Sequence, residues 1–102
     1  MAISAVTDKR EFSFLTNHGK ALLLIGNDAR IRMRDIAARL DITERATQRI
    51  VADLAEAGYI DRAREGRRNS YTVRTDMPLG LPLQRDLDIG TLLASVETDE
   101  PA

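Results

Sequence analysis

The sequence has no cysteine and only one histidine among its 102 residues. Without cysteine no disulfide can form, and a single histidine cannot supply the Cys and His ligands of a structural zinc site. We therefore expect neither a metal nor another cofactor in one chain. The lack of cysteine suits a reducing compartment, and we expect a cytoplasmic protein.

Long apolar runs are also missing. The strongest one spans only residues 21–25, whereas a membrane-spanning helix needs about 20 apolar residues. Residues 1–10 lack the charged start and apolar stretch of a secretory signal. The sequence therefore predicts no membrane partner and no export.

Catalytic constellations are absent from the sequence as well. His18 has no second histidine or acidic pair at the spacing of a metal site or catalytic triad. Asp86 and Asp88 precede a predicted helix, where capping explains them better than acid-base chemistry. Because no phosphate-binding loop or paired nucleophile and base is visible, we expect no enzyme, and for His18 a packing or capping role.

The charge is unevenly distributed along a chain that is long enough for one domain. The formal net charge is -1, yet residues 30–74 carry eleven arginines and seven acidic residues, a net charge of +4. Residues 75–102 carry one arginine and six acidic residues, a net charge of -5. A basic middle and an acidic end favour contact with phosphates through one face of the protein.

Three helices are predicted in the first half of the chain. Thr16 or Asn17 caps the first, which ends at residues 26–28, and the second covers residues 33–40. Thr43 suits the N-cap of the third. Gly58 suits the left-handed position after its end, as in a Schellman motif.

After Gly58 the apolar period becomes that of extended strands. Residues 59–65 and 70–74 predict a β-hairpin with residues 66–69 as its turn, and Ile31 and Met33 allow a short third strand. The predicted fold class is mainly α with a small hairpin, in the order helix, short strand, helix, helix, strand, strand, with a further C-terminal helix.

The C-terminal region divides into a linker and a helix. Proline and glycine at positions 78, 80 and 82 predict a linker over residues 77–85. Apolar residues at helical spacing then predict an amphipathic helix over residues 86–96. With residues 1–11 as a flexible arm and 97–102 as a disordered tail, residues 12–76 form the expected domain.

Two short helices, a tight turn and a hairpin over residues 31–74 resemble the winged helix-turn-helix of MarR-like transcriptional regulators. The resemblance is carried by RDIAARLDIT at 34–43, the helix through Leu54, EAGYI at 56–60 and the basic wing turn. Two positions depart from that pattern. Asp41 stands where such turns often have glycine, and Thr47 where an aliphatic residue usually packs.

The third helix has a polar outer face, because Thr47, Ile50 and Leu54 occupy its inner face. Arginine can chelate guanine O6 and N7, and glutamine can chelate adenine N6 and N7, in the major groove. We therefore expect duplex DNA as the partner of this helix and of an arginine-rich wing. The expected DNA-binding residues are Arg34, Thr43, Glu44, Arg45, Gln48, Arg49, Arg62, Arg64, Arg67, Arg68 and Asn69.

We also expect a homodimer, because one such module buries little DNA surface and paired half-sites raise its affinity and specificity. The resemblance further implies a small-molecule effector near the dimer interface, for which the residues identify no pocket. The expected dimerisation residues are Leu83, Leu87, Ile89, Leu92, Leu93 and Val96. A different class stays open as the alternative, namely a winged-helix module that binds an acidic protein partner.

Overall fold

The computed structural model describes residues 13–96. The arm expected at 1–11 and the tail expected at 97–102 therefore lie outside the described residues. The elements are α1 (Asn17–Asn27), α2 (Met33–Leu40), α3 (Glu44–Glu56), β1 (Ile60–Glu65), β2 (Arg68–Val73) and α4 (Ile89–Val96). This order confirms the predicted mainly α fold class with one antiparallel hairpin.

Local hydrogen bonds explain where α1 and α3 begin and where α3 ends. The hydroxyl of Thr43 accepts the Ala46 N–H at 3.0 Å at the start of α3, and Thr16 does the same at the start of α1. At the end of α3, Gly58 adopts a φ of 88°. The Tyr59 N–H then donates to the Leu54 carbonyl at 2.9 Å, as the predicted Schellman motif requires.

The core lies between α1, α2, α3 and the base of the hairpin. Ile25, Ile36 and Val51 are completely enclosed, one from each of the three helices. Thr47 is enclosed as well, and its hydroxyl donates to the Thr43 carbonyl at 2.9 Å. A satisfied hydroxyl avoids the penalty of burying an unpaired polar group, so threonine replaces the usual aliphatic residue here.

The hairpin turn is shorter than predicted. Glu65 pairs with Arg68 across the strands, so only Gly66 and Arg67 form the turn, and the expected four-residue turn over 66–69 is wrong. Gly66 has a φ of 64°, the left-handed backbone that a two-residue hairpin turn needs at its first position. Because the turn has only two residues, Arg68 and Asn69 belong to β2.

The short strand expected at Ile31 and Met33 does not form within the described chain. Met33 is already the first residue of α2, which leaves too few extended residues for a ladder. One backbone hydrogen bond replaces it, from the Tyr71 N–H to the Ala29 carbonyl at 2.9 Å.

Residues 77–88 fold into a closed loop. Pro78 and Asp88 form an antiparallel bridge, and the Leu79 N–H donates to the Leu87 carbonyl at 2.9 Å. The carboxylate of Asp86 accepts the N–H groups of Gly80 and Leu81 inside the loop. Backbone N–H donors, that of Leu81 first, lower the pKa of Asp86. The segment predicted to be a linker is thus held by its own hydrogen bonds.

The C-terminal helix α4 starts at Ile89, three residues later than the predicted 86–96. Asp88 caps it as expected, because its carboxylate accepts the Thr91 N–H at 2.8 Å, and this bond lowers the pKa of Asp88. Ile89 is buried in the core, and Leu93 packs so closely on Gly26 of α1 that an added Cβ there would lie 2.7 Å from Leu93 Cδ2. None of the helices in residues 13–96 is long and apolar enough to cross a membrane.

Candidate nucleic-acid interface

The outer face of α3 is exposed and polar. Arg45, Gln48 and Arg49 are exposed and have no protein partner among the described residues. Glu44, at the start of the helix, is also exposed and has no partner there. The opposite face, with Ile50 and Leu54, is buried. The structure therefore presents these four side chains together, with their hydrogen-bonding groups available to a ligand.

A basic groove lies beside the start of α3, between the wing and the segment that leads into α2. The groove has a volume of about 510 Å³. Five arginines and one acidic residue line it together with apolar and amide side chains. The charged members are Arg30, Arg32, Arg34, Arg67, Arg68 and Glu44. We refer to this surface as the basic groove.

Sequence reasoning missed two members of the basic groove, Arg30 and Arg32. Three arginines lie within five residues at 30–34, just before and at the start of α2, and this local density of positive charge was a signal for phosphate contact. Of the three arginines at 30, 32 and 34, only Arg34 was predicted to bind DNA. The fold brings the three arginines opposite the wing because the Tyr71 N–H holds β2 against Ala29.

The wing does not direct its four arginines to one side. Arg62 and Arg64 lie on β1, paired with Tyr71 and Asn69, and neither lines the basic groove. Arg67 is exposed at the turn and lines the groove. Because side chains alternate along a strand, the expected cluster over 62–68 divides between two faces and the tip.

Arg68 turns back into the protein. Its Nη2 donates to the Arg30 carbonyl at 2.8 Å. Its Nε is enclosed and has no hydrogen-bond partner in the described part of the chain. The Arg30 Nε lies 3.5 Å from the Glu65 carboxylate, so a solvent-exposed ion pair links the wing to the segment before α2.

Two further polar groups, His18 with Asp53 and the hydroxyl of Thr43, make contacts that stabilise the fold. His18 Nε2 and Asp53 Oδ2 are 2.8 Å apart and connect α1 with α3. Thr43 uses its hydroxyl oxygen to cap α3. Over residues 13–96, no group of three or more histidine, cysteine or acidic side chains is placed to hold a metal ion.

The six residues expected at a dimer interface divide by exposure. Ile89 is 3% exposed and packs within its own chain, and Leu92 and Leu93 are half-buried. Leu83, Leu87 and Val96 are exposed. Among these six residues, the last three are the ones whose apolar surface the described chain leaves exposed.

Comparison with known proteins gives one family. The model of the MarR family matches residues 15–68, which is more than half of the chain and includes α1, α2, α3 and β1. No curated protein and no solved structure matches the sequence. The matched range contains the outer face of α3 and all the arginines that line the basic groove.

Proposed function

The chain belongs to the MarR family of DNA-binding transcriptional regulators, and from that premise we propose that it recognises a specific duplex sequence with α3 in the major groove. The observation that carries this proposal is the exposed outer face of α3 directly beside the basic groove. A helix that reads bases and a basic surface that contacts phosphates are the two requirements of sequence-specific binding.

The α3 side chains supply the base contacts in this proposal. Arg45 and Arg49 suit guanine and Gln48 suits adenine, since each can form two parallel hydrogen bonds to its base. Glu44 can accept a hydrogen bond from a cytosine amine. Thr43 contributes by capping the helix that presents them.

The basic groove and the wing supply the phosphate contacts. Arg32 and Arg34 are exposed on one side of the groove, and Arg67 is exposed on the other. Asn69 lines the groove with them. Arg62 and Arg64 lie on β1 between the base and the tip of the hairpin, and we assign them to the flanking backbone or the minor groove, whose narrow A·T tracts attract arginine. The protein-docking alternative is not favoured, because the family to which the chain belongs consists of regulators that bind DNA.

We further propose that residues 12–76 are the DNA-binding unit and that the protein binds as a homodimer. Two copies on paired half-sites double the contacted surface. Leu83, Leu87 and Val96 are exposed in the single chain, and their burial between copies would remove apolar area from water.

The experiment is enrichment of protein-bound duplexes from a random library, with and without the substitution Gln48→Ala. We expect the unmodified protein to yield a consensus sequence. Gln48→Ala relaxes the preference at one position of each half-site by roughly tenfold, because one bidentate contact discriminates by about 1–3 kcal/mol.

The matched control is Arg85→Ala. Arg85 is exposed in the closed loop, away from the basic groove, so the control keeps the original consensus. If the unmodified protein yields no consensus, or if Gln48→Ala enriches the same sequence with the same stringency, α3 does not read bases and the proposal is refuted.

A further inference from the structure

Three contacts join the wing to the segment before α2. The Tyr71 N–H donates to the Ala29 carbonyl at 2.9 Å, and Arg68 Nη2 donates to the Arg30 carbonyl at 2.8 Å. The Glu65 carboxylate lies 3.5 Å from Arg30 Nε. We call these three contacts the wing bracket.

The outer half of the wing has little else to hold it. Beyond Ile60 every residue of β1 is exposed, and Tyr71 is the only buried residue of β2. An isolated two-stranded hairpin is marginally stable in water. The angle of the wing over the basic groove therefore depends on the wing bracket.

The Arg68 guanidinium directs one edge into the protein. One nitrogen is bonded to the Arg30 carbonyl and another, Nε, is enclosed. The Nε/Nη2 edge, one of the two edges by which arginine can hold a phosphate with two parallel bonds, is therefore closed in Arg68. Arg67, the preceding residue, is exposed and unpaired among the described residues.

From this geometry we propose that Arg68 is a positioning residue, which holds the wing so that Arg67 meets the phosphate backbone, and that it does not itself bind phosphate. The inference rests on the proposed DNA-binding function. Arg67 and Arg68 thus form a matched pair, since they are neighbours with the same charge and only Arg68 belongs to the wing bracket.

The two residues differ in their expected effect on salt dependence. Replacing an arginine that binds a phosphate reduces the slope of log K against log salt by about 0.9. Replacing a residue that only orders the wing adds an entropy cost of ordering, which does not depend on salt. We therefore expect Arg67→Ala to reduce the slope by about 0.9 and Arg68→Ala to lower the affinity by roughly tenfold at every salt concentration, with the slope unchanged.

A second measurement needs no DNA. Hydrogen exchange at the Tyr71 amide reports the wing bracket directly, because that amide donates to Ala29. We expect Arg68→Ala to speed this exchange roughly tenfold, as the loss of one charge-assisted hydrogen bond predicts. Arg67→Ala leaves it unchanged.

The outcomes separate this inference from the proposed function. If Arg68→Ala reduces the salt slope as much as Arg67→Ala does, Arg68 is a phosphate ligand and the inference is overturned. It is also overturned if Tyr71 exchanges at the same rate in Arg68→Ala as in the unmodified protein. Failure of the unmodified protein to bind duplex DNA at any salt concentration refutes the proposed function, and with it the role of Arg68 in binding, whatever the exchange rates show.

Discussion

Removing Arg32 and Arg34 together should weaken the salt dependence of DNA binding by a calculable amount. Both side chains are exposed at the rim of the basic groove and have no partner in the described chain. Each phosphate contact contributes about 0.9 to the slope of log K against log salt. Two lost contacts reduce the magnitude of the slope by about 1.8. When the salt is raised from roughly 50 to roughly 200 mM, the factor by which the variant loses affinity is therefore about twelve times smaller than the factor for the unmodified protein.

The assay is fluorescence anisotropy of a labelled duplex of about 30 base pairs with random sequence, which isolates phosphate contacts from base contacts. The matched control is Arg39→Ala/Arg85→Ala, which removes the same charge from two exposed side chains outside the basic groove. We expect the control to keep the original slope. If both double variants reduce the slope equally, the attraction is a property of net charge, and the reasoning that places DNA at the groove is refuted.

Three further predictions concern the fold that presents the interface. Asp41 adopts a φ of 59°, so Asp41→Gly should raise the free energy of unfolding by up to about 1 kcal/mol and Asp41→Val should lower it by about the same amount, as measured by denaturant titration. Gly26→Ala should lower the free energy of unfolding by about 1 kcal/mol, because the added methyl group meets Leu93. In a Leu93→Ala background the same substitution should raise the free energy of unfolding by about 1 kcal/mol, because alanine favours a helix more than glycine does. Asp88 has a pKa below its ordinary value of 3.8, so its stabilisation of α4 is complete above that pH and is lost as the pH falls through the lowered value. The Thr91 amide should therefore lose protection from hydrogen exchange, relative to an unstructured amide at the same pH, as the solution is acidified, and constant protection would contradict this.

The helices were predictable because their boundaries depend on local chemistry. A threonine at position 43 can cap only the residues that follow it, and Gly58 followed by Tyr59 can end a helix through bonds to the preceding turn. These short-range signals placed the ends of α2 and α3 within a residue or two. The apolar period then identified which face of α3 is buried.

Pairings between distant residues were not predictable in the same way. The short turn depends on the register of Glu65 against Arg68, and several registers suit the same sequence. Pro78 and Gly80 indicated a break in regular structure, but the bridge that closes residues 77–88 requires Asp88, ten positions later. Composition predicts that such a segment lacks regular structure, but it does not show that hydrogen bonds fix its conformation.

The candidate site also has one part that local sequence predicts and one part that depends on contacts between distant residues. The outer face of α3 followed from a period of 3.6 residues, so its members were named from the sequence. The basic groove arises from packing of residues 29–30 against β2, which no local pattern encodes. For that reason Arg30 and Arg32 were missed, and the inward direction of Arg68 became visible only in the structure.

The most direct test of the central claim is a nuclear magnetic resonance titration of the ¹⁵N-labelled protein with duplex DNA at low salt. Binding through the outer face of α3 and the basic groove predicts that the largest amide shift changes occur at residues 30–34, 43–49 and 66–69 and exceed those in the closed loop at 77–88. Shift changes confined to the loop and α4, or none at the lowest salt concentration, would contradict the claim.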